Sequence, residues 1–153
     1  MDVALVSPRR IIRKGLCTLL AQKDSIRVVA DVDNAIESFD LFRKTRPEVV
    51  LIDCTHPAND LETLSRLRIL LPETKLLLLI ETPNEDFEFH AIKAGARGCV
   101  PKEADPQASE RALHVVRKGE AEFPSPVERV GSSLFKTRFL AFGSPPQDPG
   151  CAR

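Results

Sequence analysis

Apolar residues along the chain switch between two periods. Val3–Val6 is a short apolar run, and behind Ser7-Pro8 the residues Ile11, Ile12, Leu16, Leu19 and Leu20 recur at helical spacing. The unit then repeats. Ile26–Ala30 reads as a second strand, and Asn34 with Glu37 as a capping box opening a helix that carries Ile36, Phe39, Leu41 and Phe42 and stops at Pro47. Val49–Ile52 is wholly apolar and rich in β-branched residues, as a strand covered on both faces requires, and it ends at Asp53. Asn59 and Glu62 suggest the cap of a third helix through Leu61, Leu64, Leu67, Leu70 and Leu71, closed by Pro72. Leu76–Ile80 is a second fully apolar strand. Thr82-Pro83-x-Glu85 combines a cap with a proline at the first helical position, for a helix ending before Gly95. Gly98–Val100 is a short fifth strand. Asp105-Pro106 opens the last helix, Ala108, Ala112, Leu113 and Val116 form its buried stripe, and Gly119 suits its C′ position.

Five strand-then-helix units with short connections predict an α/β domain: a doubly wound parallel sheet between two helical layers, joined by right-handed crossovers. For a sheet of this size the expected arrangement is flavodoxin-like, (βα)5 with strand order 2-1-3-4-5, and its switch point lies where the first and third strands end. Ser7, Pro8, Asp53 to Thr55, Ile80 to Thr82 and Lys102 are the residues at that rim.

Composition sharpens the boundaries. Residues 1–123 hold the repeated units, whereas residues 124–153 carry five of the chain's 12 prolines and three of its seven glycines, so they read as a Pro/Gly-rich tail or a truncated linker. The formal net charge of zero divides into −2 for residues 1–123 and +2 for the remainder. This removes the broad basic field that direct DNA binding needs. No apolar run approaches the roughly 20 residues that span a bilayer, and Met1–Leu5 is no signal peptide, so the chain reads as cytoplasmic. Cys17, Cys54, Cys99 and Cys151 form no CxxC pair and indicate neither a disulfide framework nor a zinc site; the first three read as small buried hydrophobes. The absence of any GxGxxG or GxxxxGK[ST] loop weighs against a nucleotide-binding enzyme.

At the rim, Asp53 follows a buried third strand and Lys102 follows the fifth. Together with Val3-Ala4-Leu5-Val6, Arg13-Lys14-Gly15-Leu16, Pro47 to Asp53, Leu61-Glu62-Thr63-Leu64, Lys93-Ala94-Gly95-Ala96 and Lys118-Gly119-Glu120, these residues resemble the receiver domain of two-component response regulators, NarL/FixJ (LuxR-type) branch. The resemblance covers about residues 2–122 and implies a non-enzymatic signalling domain. It makes Asp53 the candidate phospho-acceptor for a sensor histidine kinase and Lys102 the contact to the carboxylate or phosphoryl oxygens.

The departures from the family fall in the same place. Two acidic residues that the family uses to hold Mg²⁺ align with Ser7 and Pro8, neither of which is a carboxylate. The switch hydroxyl aligns with Ile80 and the switch aromatic with Cys99, while Pro101 removes a ladder donor. Glu81 and Thr82 are the candidate substitutes, although both suit the start of a helix; Ser7 likewise reads as an N-cap with Pro8 behind it. Asp53 and the Thr55 carbonyl make only a poor Mg²⁺ site, so no cofactor is expected. The sequence thus points to a degenerate receiver acting by protein–protein contact, with weak or no Mg²⁺-dependent phosphorylation. The alternative is a working phospho-acceptor, part of a transcriptional regulator whose helix-turn-helix domain is missing from this chain. Arg9, Arg10, Arg13 and Lys14 suggest a basic outer face on the first helix and Arg111, Arg117 and Lys118 another on the fifth, which limits any homodimer through these two helices to a weak one.

Overall fold

The two fully apolar runs need cover on both faces, and they receive it at the middle of a parallel sheet. A computed structural model describes residues 1–103 and 105–124. In chain order the elements are β1 (Asp2–Val6), α1 (Arg10–Ala21), β2 (Arg27–Val32), α2 (Phe39–Thr45), β3 (Val49–Asp53), α3 (Pro57–Leu70), β4 (Lys75–Ile80), α4 (Glu85–Ala94), β5 (Gly98–Pro101) and α5 (Pro106–Arg117). The sheet order is β2-β1-β3-β4-β5, the flavodoxin-like arrangement expected from the pattern. Strand alternation divides the core into two clusters. Val50, Ile52, Leu76, Leu78 and Ile80 pack with Phe42, Leu64, Leu67, Ala91 and Ile92 on the α2–α4 side; Val49, Leu51, Leu77, Leu79 and Val100 pack with Leu20, Leu113 and Val116 on the α1/α5 side.

The chain after α5 returns to the sheet. Gly98 forms a parallel bridge with Glu122, the Cys99 N–H donates to the Glu122 carbonyl at 2.8 Å, and Phe123 is buried in the α2–α4 core. Gly98 is required there, since a Cβ would stand 2.6 Å from the Glu122 carbonyl oxygen. The tail expected over residues 124–153 lies, apart from Pro124, outside the described residues.

Several helix starts differ from the sequence reading. Ser7 is not the N-cap of α1, and Pro8 is not its first residue: the cap position is Arg9, because the Ser7 hydroxyl is turned toward β3. Asn34 accepts from the Glu37 N–H at 3.0 Å but caps a turn ahead of α2. α3 begins at Pro57 rather than beyond Asn59, and Asp60 reaches back to accept the Thr55 and His56 N–H groups, both at 3.0 Å. Thr82 does not cap α4. Asn84 does, accepting from the Phe87 N–H while the buried Glu88 carboxylate accepts from the Asn84 N–H, both at 2.9 Å. Asp105 before Pro106 and Gly119 after α5 fall as expected. On α1, Ile11 and Leu19 face solvent, because the stripe that meets the sheet is Leu16, Cys17 and Leu20. Cys54 and Cys99 are buried as expected, while Cys17 is only half-buried.

Candidate functional site

Ser7, Asp53, Glu81 and Lys102 each lie two residues beyond a member of the α1/α5 cluster: Leu5, Leu51, Leu79 and Val100 respectively. Period-two alternation therefore delivers all four to one corner of the rim. Asp53 is the centre, its side chain fully enclosed. Lys102 Nζ contacts Asp53 Oδ1 and also donates to the Cys54 carbonyl at 3.0 Å and to Glu81 Oε2 at 3.2 Å. The β5 register fixes this approach, since the Lys102 N–H continues the ladder to the Ile80 carbonyl at 2.7 Å.

The other side of Asp53 is closed from the β1–α1 turn. The Ser7 hydroxyl donates to Asp53 Oδ2 at 2.6 Å and accepts from the Arg9 N–H at 3.1 Å. The Ser7 carbonyl is held by Arg13 Nη1 at 2.7 Å. This fold of the turn brings the Arg9 guanidinium over the carboxylate: Nη2 lies 3.0 Å from Oδ1 and 3.1 Å from Oδ2, and Nε 3.2 Å from Oδ2. Arg9 Nη2 also lies 3.7 Å from Glu81 Oε2. Burial raises the Asp53 pKa, but hydrogen bonds from Arg9, Lys102 and Ser7 and the Lys102 charge outweigh it, leaving the carboxyl below its ordinary value. The hydrogen bond to Asp53 raises the Arg9 pKa in turn.

Of the sequence candidates, the structure brings Asp53, Lys102, Ser7 and Glu81 together. Thr82 is exposed. Ile80 and Cys99 are buried in the apolar core, so neither offers a hydroxyl or a ring at the rim. Arg9 and Asp60 escaped the sequence reading as parts of this region. The basic outer face expected on the first helix is reduced rather than continuous: Arg9 turns to Asp53, and Arg13 and Lys14 pair with Asp31 at 3.1 and 3.4 Å, while Arg10 is exposed. The available signal was the position of Arg9, three residues beyond the end of β1 and next to the rim.

A match to the response regulator receiver domain family spans residues 3–114. The chain belongs to that family. Its relatives lie in the NarL/LuxR-type branch. The oxygen regulatory protein NreC of Staphylococcus aureus (strain JH9) is 28 % identical over 122 residues, which is 78 % of this chain and 56 % of NreC. The chain thus spans a little over half the length of the curated relatives it matches. A LuxR-family two-component response regulator from Aurantimonas sp. SI85-9A1 superposes with a TM-score of 0.74 at 26 % identity, over 89 % of this chain and 97 % of that one. The isolated receiver domain of RcsB from Salmonella enterica serovar Typhimurium, solved with the phosphomimetic BeF3−, gives 0.71 at 19 % identity, over 85 % and 97 %, a likeness of fold.

Receiver domains in general bind Mg²⁺ at the phosphorylation site, and the residues of this receiver do not fit it. Mg²⁺ demands several oxygens in near-octahedral array. Here both Asp53 oxygens already accept from protein donors, the Ser7 hydroxyl is engaged with one of them, and the Pro8 side chain carries no oxygen. Among the described residues no three His, Cys, Asp or Glu side chains are grouped to hold a metal ion. No described helix is long and apolar enough to cross a membrane.

Proposed function

We propose that this receiver is a degenerate signalling module that acts by protein–protein contact, with weak or no Mg²⁺-dependent phosphorylation of Asp53. The observation that carries this reading is the saturation of the Asp53 carboxylate. A phospho-acceptor needs one oxygen free and in line with the incoming phosphorus. On Asp53, Lys102 and Arg9 take Oδ1, while Ser7 and Arg9 take Oδ2. The apolar Ile80 and the small Cys99 at the switch positions support the same reading, since neither can follow a phosphoryl group by hydrogen bond or ring rotation. Its partners on this reading are a sensor histidine kinase or another signalling protein. The retained Asp53–Lys102 contact favours the alternative, a working phospho-acceptor.

The discriminating experiment is incubation of the full chain with acetyl phosphate or phosphoramidate and Mg²⁺, followed by intact mass measurement. The expected result is unmodified protein; a phosphoryl adduct that Asp53→Ala abolishes would overturn the reading. Self-association through α1 and α5 is weak on this account, because Arg13 and Lys14 of α1 and Arg117 of α5 already pair with Asp31 and Glu48 within the chain. Sedimentation should show a monomer that begins to associate only at high concentration, and a dimer persisting to nanomolar protein would contradict it.

A further inference from the structure

The groups in direct contact with Asp53 and Glu81 balance them in charge without any added ion. Two carboxylates, Asp53 and Glu81, face two cations, Lys102 and Arg9, and the Arg9 guanidinium lies between the carboxylates: 3.0 Å from Asp53 Oδ1 and 3.7 Å from Glu81 Oε2. A guanidinium suits this place, because its planar fork can meet both oxygens of one carboxylate and keep a further N–H for a second acid. We infer that Arg9 is a tethered cation standing in the charge-balancing place of the family's Mg²⁺, so that this rim takes no divalent ion.

Ser7 is the other half of the substitution. A family rim with three carboxylates needs a lysine and a divalent ion to reach neutrality, whereas one with two carboxylates is neutral with Lys102 and Arg9. A carboxylate at position 7 would also stand where the Ser7 hydroxyl now donates to Asp53 Oδ2 at 2.6 Å, and two anions that close repel strongly. It would lose the donor while leaving Arg9 to compensate three negative groups with one lysine. The hydroxyl further shapes the turn that aims Arg9, by accepting from the Arg9 N–H at 3.1 Å, and Arg13 clamps the Ser7 carbonyl at 2.7 Å. Pro8 fixes its own φ between the two residues. Ser7 and Arg9 are therefore positioning residues that act on Asp53 together.

This inference rests on the receiver reading of the rim, but it fails on a different result. The test is thermal unfolding of the full chain with and without millimolar MgCl2 or MnCl2, paired with Mn²⁺ electron paramagnetic resonance to count bound ion. Wild type should show no change in melting temperature and leave the free Mn²⁺ signal intact. Arg9→Ala should melt lower, then recover by several degrees with either ion and bind Mn²⁺; adding Asp53→Ala should abolish both responses. Arg9→Gln, which keeps the side-chain stem, gives the same readout if the alanine variant does not fold. Wild type binding Mn²⁺ as well as the Arg9 variants do, or a folded Arg9 variant that ignores both ions, would overturn the inference. A phosphoryl adduct on Asp53 that forms equally with and without Mg²⁺ would sink the proposed function while leaving the role of Arg9 standing.

Discussion

Asp53 is approached from two sides built by different means. On the β3–β5 side, Lys102 follows an edge strand whose register is set by ladder bonds, and its side chain is only 13 % exposed. On the β1–α1 side, Arg9 sits in a turn folded around the Ser7 hydroxyl, and its side chain is 42 % exposed. The first side offers the proposed acceptor a lysine; the second offers it a hydroxyl and an arginine, with a proline between them. A buried carboxylate must be compensated wherever the compensation comes from. The sheet register sets the approach of Lys102, while the turn meets the same carboxylate with a cation of its own.

The comparison can be broken from either side. Lys102→Met should have the largest effect, about 3 kcal/mol in urea unfolding, because it leaves an enclosed carboxylate short of its better-buried partner. A loss below about 1 kcal/mol would mean that the turn side alone compensates Asp53. Ser7→Ala should cost about 2 kcal/mol, since it strips a buried charged hydrogen bond and frees the Arg9 N–H. Arg9→Ala should cost about 1 kcal/mol, as solvent screens the exposed guanidinium.

The smallest effect is in the pH dependence. The Asp53 pKa lies below its unfolded value of about 3.9, so its contribution is present above that pH and fades as the pH falls through the lower, folded value. The stability gap between wild type and Asp53→Ala should accordingly be constant near neutrality and narrow below about pH 4. A gap that widens on acidification would contradict the sign.

Much of this arrangement is written in the chain. Strand runs with period-two alternation, two of them fully apolar, determine the sheet and carry Asp53, Glu81 and Lys102 to one corner. The helix starts are less legible. Ser7-Pro8 and Thr82-Pro83 have the same cap-then-proline form as Asp105-Pro106, yet only the last pair caps a helix. At Ser7 the competing acceptor is Asp53, 46 residues away, and at Thr82 the local competitor is Asn84 backed by Glu88. No local pattern reveals a hydroxyl drawn away by a distant carboxylate. Arg9 was hidden for the same reason: a run of cations reads as a solvated face until the fold supplies the buried acid that attracts one of them. Ile11 and Leu19 show the converse, apolar residues of a helical pattern that the fold leaves outside.

Whether the protein's own cations satisfy the Asp53 carboxylate is read from a carboxyl ¹³C NMR titration of wild type and Arg9→Ala. Asp53 should titrate below the ordinary carboxylate value in wild type and move upward when Arg9 is removed. An Asp53 that titrates at or above the ordinary value in wild type, or that is unmoved by loss of Arg9, would contradict it.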